Sequence, residues 1–320
     1  MGGHDLSATT ADNYRAFAAE ARGRSPRYEE LALAVAADPA ILGFLSTLPA
    51  HKRQPNLLFA AARLLCGEPP DQAGLRALVR RRGGELSAVM LIRRTQTNEP
   101  ARCATLLPAL AELPGPLALI EVGASAGLTL LADKYSYDYG GCRLAGTDPL
   151  APVLGCRAVG PVPLPARVPE VAWRAGLDLN PLDVTSPDDV RWLQCLVWPD
   201  ETGRQERLAA AVETARRDPP VIYRGDLLTD LPGLVAKAPR DATVVVFHTA
   251  VLAYVRQPDR AEFARAVSEL GVTWLSNESP GILAGPHADG RHGTDFLLVK
   301  DGLEPIAVTD PHGTWVEWLS

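Results

Sequence analysis

Apolar residues in the first third of the chain recur at helical spacing. Tyr14, Phe17, Ala18 and Ala21 share one face, as do Leu31 and Val35, and then Ile41, Leu42 and Leu45. Asp38-Pro39 reads as an N-cap followed by proline at the first helical position, and Pro55 opens a further helix over Asn56–Leu65. Leu75–Val79 and Leu86–Ile92 continue the pattern. These positions predict an all-helical N-terminal lobe over residues 1–113. One polar run interrupts it, Thr95-Gln-Thr-Asn-Glu-Pro100, where Asn98 can cap the helix that Pro100 opens. The alternative is that Gln96, Asn98 and Glu99 face a ligand; Gln54 and Asn56 invite the same reading more weakly.

After residue 113 the pattern changes. Leu117–Val122 reads as an apolar strand, followed by a turn of small residues and a helix from Leu128 to about Tyr135. Tyr135, Tyr137 and Tyr139 alternate at strand spacing, and a proline-rich crossing runs from Gly155 to Pro169. Val171–Leu179 is a strand carrying Asp178 at its end, and helices are expected over 188–198 and 206–215. Strands at Pro220–Tyr223, Thr243–Phe247 and Val272–Leu275 then alternate with a helix over Asp259–Leu270. Phe296–Val299, Asp301-Gly302 and Pro305–Val308 form a hairpin pattern. Residues 114–320 are therefore expected to form an α/β domain, with a Rossmann-like parallel sheet finished by an antiparallel hairpin.

Composition narrows the function classes. With 320 residues, 47% of them apolar and 22% charged, the chain is globular in character. A net charge of −6 gives no electrostatic reason to expect nucleic acid as a partner. Cys66, Cys103, Cys142, Cys156 and Cys195 are scattered and lack zinc-knuckle or disulfide spacing, which fits a reducing cytoplasm. No apolar run approaches the ~20 residues that a membrane span needs, and the N-terminus is not of signal-peptide type. The expectation is a soluble, cytoplasmic protein acting on a small molecule.

The chemistry turns on Glu121-Val-Gly-Ala-Ser-Ala-Gly127. An acidic residue followed by glycines at 123 and 127 suits the cofactor turn of α/β folds, where backbone N–H groups meet a ligand at the carboxyl end of a strand. The same letters contain Gly123-x-Ser125-x-Gly127, the serine nucleophile elbow of hydrolases. An elbow strand follows several earlier strands, whereas the preceding hundred residues here read as helical, and Glu121 has no use in an elbow. The cofactor reading assigns Glu121, Gly123, Ala124, Ser125 and Gly127 to the ligand, with Asp178 and then Asp226 and Leu227 at the ends of the next strands. Asp148 lies nearer the usual spacing than Asp178, so an inserted hairpin has to be assumed. The absence of a three-glycine dinucleotide form, together with the terminal hairpin, points to S-adenosylmethionine before NAD.

Strand-end positions also nominate catalytic groups. His248 follows Thr243–Phe247 and could serve as general base, with Glu278 and Tyr254 as further catalytic candidates and Asn277 beside the substrate. His287, Asp289, His292 and Asp295 cluster in a glycine-rich loop, but their spacing suits no metal site, and no metal is expected.

The runs Thr95-Gln-Thr-Asn-Glu99, Ile120-Glu-Val-Gly-Ala-Ser-Ala-Gly127, Gly176-Leu-Asp-Leu-Asn-Pro-Leu-Asp183, Leu196-Val-Trp-Pro199 and Pro311-His-Gly-Thr-Trp315 carry a resemblance over nearly the whole chain. The chain resembles an uncharacterised, mostly actinobacterial family known as a domain of unknown function. Through Glu121, Gly123, Gly127 and Asp226 its core is similar to class I S-adenosylmethionine-dependent methyltransferases. That similarity implies methyl transfer to a small-molecule acceptor. The alternatives are a Rossmann-like protein that cyclises, eliminates or only binds in the same crevice, then a serine hydrolase using Ser125, then a non-catalytic interaction module.

Overall fold

The computed structural model describes residues 3–96, 98–282, 295–303 and 305–319. Its helices are α1 (Gly3–Ala21), α2 (Pro26–Ala36), α3 (Pro39–Ser46), α4 (Pro55–Cys66), α5 (Gln72–Ile92), α6 (Arg102–Ala111), α7 (Pro187–Leu196), α8 (Thr202–Arg217), α9 (Leu231–Val235) and α10 (Gln257–Glu269). The strands are β1 (Leu117–Val122), β2 (Ser136–Asp138), β3 (Arg143–Leu144), β4 (Val153–Gly155), β5 (Arg157–Val159), β6 (Val171–Asp178), β7 (Val221–Arg224), β8 (Thr243–Thr249), β9 (Thr273–Glu278), β10 (Phe296–Lys300), β11 (Pro305–Thr309) and β12 (Trp315–Trp318). Among the described residues no helix is long and apolar enough to cross a membrane.

Contacts divide the chain into two units, Met1–Thr97 with Pro187–Glu206, and Asn98–Ser186 with Arg207–Ser320. The division therefore falls at residue 97 instead of 113, and the helical unit takes a second segment from the middle of the chain. Local capping explains its helices. Asp38 Oδ1 accepts from Ala40 N and Ile41 N, so the Asp-Pro signal starts α3 as the sequence predicts. Its core is aromatic: Phe17 and Tyr28 pack against both Phe59 and Trp198, with ring centroids 4.9–6.2 Å apart. Trp198 comes from the second segment, and its indole N–H donates to Asn56 Oδ1 at 2.9 Å. That bond gives Asn56 a structural role.

The second unit is built on a nine-stranded sheet ordered β5-β12-β11-β10-β9-β8-β1-β6-β7. The five strands β9-β8-β1-β6-β7 are parallel, and β10, β11 and β12 continue as an antiparallel meander. β1 is buried at every position, as a central parallel strand must be. Ile120, Val122, Val246 and Trp274 pack with Leu231, Leu234, Phe263 and Val267 of α9 and α10 on one face. Sequence order reverses between β1 and β8, and in such sheets a ligand sits beyond the carboxyl ends of the strands at this switch point.

The chain between β1 and β6 departs from expectation. Instead of a helix to Tyr135 there is one 3₁₀ turn, Leu128–Leu131. Side chains take the carbonyls that an α-helix would use. Tyr135 Oη donates to Leu128 O at 2.8 Å, Cys103 Sγ to Thr129 O, Arg174 Nη1 to Leu130 O and Tyr137 Oη to Ala132 O. The chain then forms the small sheet β3-β2-β4 and joins the large sheet at its far edge through β5, which pairs with β12. This insertion accounts for the long spacing to Asp178. Asp178 ends β6, the neighbour of β1, whereas Asp148 lies in the insertion and pairs with Arg217 at 2.6 Å.

Candidate functional site

The carboxyl edge of β1 is a turn that the chain holds by its own bonds. Gly123, Ser125 and Gly127 all adopt left-handed backbone, at φ 71°, 53° and 70°. Both glycines are also required for space: a Cβ on Gly123 would lie 2.5 Å from Val251 Cγ2, and one on Gly127 would lie 2.7 Å from Ile222 Cδ1. The turn amides point into the protein. Gly123 N and Ala124 N donate to Leu177 O, Ser125 N to Asp178 Oδ2 at 2.8 Å, Gly127 N to Ala124 O, and Leu128 N to Asn98 Oδ1 at 2.8 Å. An anion-cradling set of outward amides, the arrangement expected from the letters, is not what these five form.

The acidic candidates divide into two kinds. Asp178 is half-buried, its two oxygens accepting from Ser125 N and Asn180 N. Asp226, after β7, accepts from Leu228 N and donates its own N–H to Asp230, while Leu227 packs against the core beneath α9. Glu121 differs. It lies on the sheet face opposite Ile120 and Val122 and is only 2% exposed. Thr129 Oγ1 donates to its Oε1, and its Oε2 meets no partner. Burial pushes its pKa up to about 8, so it is mainly neutral at pH 7.

The polar run also rearranges expectation. α6 begins at Arg102 with no side-chain cap, so Asn98 does not cap it. Asn98 instead satisfies Leu128 N, thirty residues on, and so does face the turn. Glu99 Oε1 accepts from Ala101 N and from Arg207 Nε at 2.8 Å. Gln96 is half-buried at the end of the helical unit, apart in sequence from the segment that holds the turn.

His248 and Glu278 lie at the ends of β8 and β9 as expected, and both side chains are buried. His248 is fully buried, packed against Phe263 and Trp274 on the α10 face of the sheet. Its Nδ1 lies 2.8 Å from Glu278 Oε1, which also accepts from Val251 N and Leu252 N. The pair fixes the loop after β8, where Ala250 is left-handed at φ 57° and Val251 covers Gly123. The alternating pleat puts His248 on this inner face, away from solvent. Asn277 is also sealed, its Oδ1 accepting from Thr309 Oγ1. Tyr254, in contrast, is 63% exposed on the loop beyond β8.

Arg102 is the residue that sequence reasoning missed. It is buried, donates through Nη1 to Thr249 O and through Nε to Pro311 O, and so joins α6, the end of β8 and the β11–β12 turn. An arginine opening a largely apolar run, Cys103–Ala111, is the signal that could have found it. At the same turn, a Cβ on Gly313 would lie 2.2 Å from Ala101 O. His312 donates its amide to Asp310 Oδ2, the turn chemistry that its sequence position suggests. His287, Asp289 and His292 lie outside the described residues, and among those described no cluster of metal-ligating side chains occurs.

No curated protein and no solved structure matches the chain. A family model does, over residues 11–318, and its description is an uncharacterised protein conserved in bacteria. The chain belongs to that family, DUF2332.

Proposed function

We propose that the chain is a small-molecule enzyme that binds S-adenosylmethionine at the carboxyl edge of β1, β6 and β7 and directs methyl transfer to a small acceptor. The observation that carries this reading is the doubly wound strand order, with a carboxylate at the end of each of the two strands beyond β1. In this arrangement Asp178 would accept from the ribose hydroxyls and Asp226 from the adenine amino group. The sulfonium of the bound cofactor supplies an electrophilic methyl group. The chain contributes position: Asp178 is tied to the Gly123–Gly127 turn through Ser125 N, so a ligand meeting this carboxylate would be held in fixed relation to the turn. Fit is good for the carboxylates and poor for the turn amides, which are already bonded within the protein.

Calorimetric titration of the full chain with S-adenosylmethionine and S-adenosylhomocysteine tests the reading. Saturable heat is expected, weakened about ten-fold or more by Asp178→Asn and by Asp226→Asn. Absence of heat with both ligands rejects it. The inward amides and the sealed His248 favour a second reading, in which the same crevice binds a ligand without methyl transfer. Binding of either adenosyl compound with no methylated product from any acceptor would select that reading.

A further inference from the structure

Within the sheet unit, the insertion that follows β1 folds back on the end of α8 and leaves a cavity of about 370 Å³. Leu131, Lys134 and residues 147–150 line one side of it, and Thr214, Arg217 and Asp218 line the other. Gly146 lets the two parts of the insertion come this close, since a Cβ there would lie 2.2 Å from Lys134 O and from Tyr135 O. Thr147 N then donates to Asp133 O at 2.8 Å, and Asp148 N to Lys134 O at 3.3 Å. Arg217 clamps the loop to α8, its Nε and Nη2 lying 3.1 and 2.6 Å from Asp148 Oδ2. Asp148 Oδ1 accepts from Leu150 N, and Arg217 Nη1 donates to Glu213 O. Those two charges are used up in building the wall.

Lys134 and Asp218 stand differently. Lys134 Nζ lies 3.8 Å from Asp218 Oδ2, near enough for attraction and too far for a hydrogen bond. Among the described residues neither side chain makes a hydrogen bond, so the ammonium donors and the carboxylate acceptors are both unfilled. The lysine side chain is 28% exposed and the aspartate 71%, which places the pair at the rim of the cavity. Apolar surface runs beside them, from the buried Leu131 to Leu150, which is 74% exposed.

We propose that this cavity is a binding site for a free α-amino acid with an apolar side chain. Lys134 takes the carboxylate, Asp218 takes the ammonium, and the surface between Leu131 and Leu150 takes the side chain. A ligand carrying only an anion would meet Asp218 as well as Lys134, and one carrying only a cation would meet Lys134 as well as Asp218. A ligand with both charges on one carbon answers both groups at once. The volume falls at the small end of the ~300–1,000 Å³ usual for small-molecule sites. Asp218 leads into β7 and Asp226 leaves it, so this site and the crevice lie toward opposite ends of that strand. The site stands whichever ligand the crevice takes.

The test is calorimetric titration of the full chain with L-leucine, with isocaproate, which lacks the amine, and with isoamylamine, which lacks the carboxylate. Saturable binding of L-leucine is expected, about ten-fold or more tighter than that of either analogue. Asp218→Asn and Lys134→Gln are each expected to weaken L-leucine about ten-fold. Failure of wild type to bind L-leucine overturns the proposal, and so does isocaproate or isoamylamine binding as tightly as L-leucine. Unchanged affinity for L-leucine in Asp218→Asn overturns it too, since that would place the amino acid elsewhere on the chain. Should Lys134→Gln not fold, Asp218→Asn, at the exposed position, decides alone.

Discussion

Val251 occupies the space that a side chain on Gly123 would need: a Cβ there would lie 2.5 Å from Val251 Cγ2 and 2.7 Å from Cγ1. The turn after β1 and the loop after β8 are thereby packed as one piece across the switch point.

Gly123→Ala therefore suffers twice, from left-handed backbone at φ 71° and from overlap with valine. The expected destabilisation is roughly 2–4 kcal/mol. Val251→Ala in the same chain should recover the steric part and leave the backbone part. Urea unfolding of the two single variants and the double variant measures the coupling. Strictly additive effects would show that the two side chains do not compete for this space.

Glu121 gives a signed pH dependence. Its folded pKa of about 8 lies above the ordinary 4.5, so the unfolded chain releases this proton first as pH rises. The contribution of Glu121 is thus fully present below about pH 4.5, lost progressively as pH rises toward 8, and flat beyond. Glu121→Gln keeps an oxygen for Thr129 and removes the titration. Relative to wild type, the variant should gain stability between about pH 5 and pH 8. Parallel stability profiles for the two proteins would refute the assignment.

Asn98 is tested by removing its oxygen. Asn98→Ala leaves the buried Leu128 N–H without its acceptor and should cost about 1–3 kcal/mol, whereas Asn98→Asp retains an acceptor and should cost less. Equal losses in thermal unfolding would mean that packing, and not this bond, matters at residue 98.

Glu278→Ala strips the acceptor from His248 Nδ1, Val251 N and Leu252 N together. A loss of about 3–5 kcal/mol is expected, with faster hydrogen exchange at residues 250–252. Glu278→Gln, which keeps one oxygen, should exchange more slowly than the alanine variant. If exchange at this loop is unchanged in Glu278→Ala, the carboxylate does not hold it.

Much of the fold is written locally. Asp38-Pro39 caps α3, Asp301-Gly302 turns β10 into β11, and the alternation from Val171 onward carries the parallel strands. The side chains' directions at the strand ends are not local. Which face of the sheet His248 takes depends on the register of β8 against β9 and on α10, some fifteen residues later. The truncated helix after Gly127 was equally hidden. Its carbonyls are captured by Cys103, Tyr135, Tyr137 and Arg174, and of these Cys103 and Arg174 lie far from it in sequence. Arg102 and Asn98 escape for the same reason, since each bonds to backbone that only the folded sheet unit brings to it.

The borrowed segment Pro187–Glu206 bears on synthesis. The rings of Phe17 and Tyr28 meet Trp198 in the finished protein, so a nascent chain halted before residue 187 has these two aromatics already made and their partner still untranslated. Growth from the N-terminus thus leaves the first-made helices waiting for more than half of the polypeptide before their core can close, and holding chaperones would have their greatest effect in that interval.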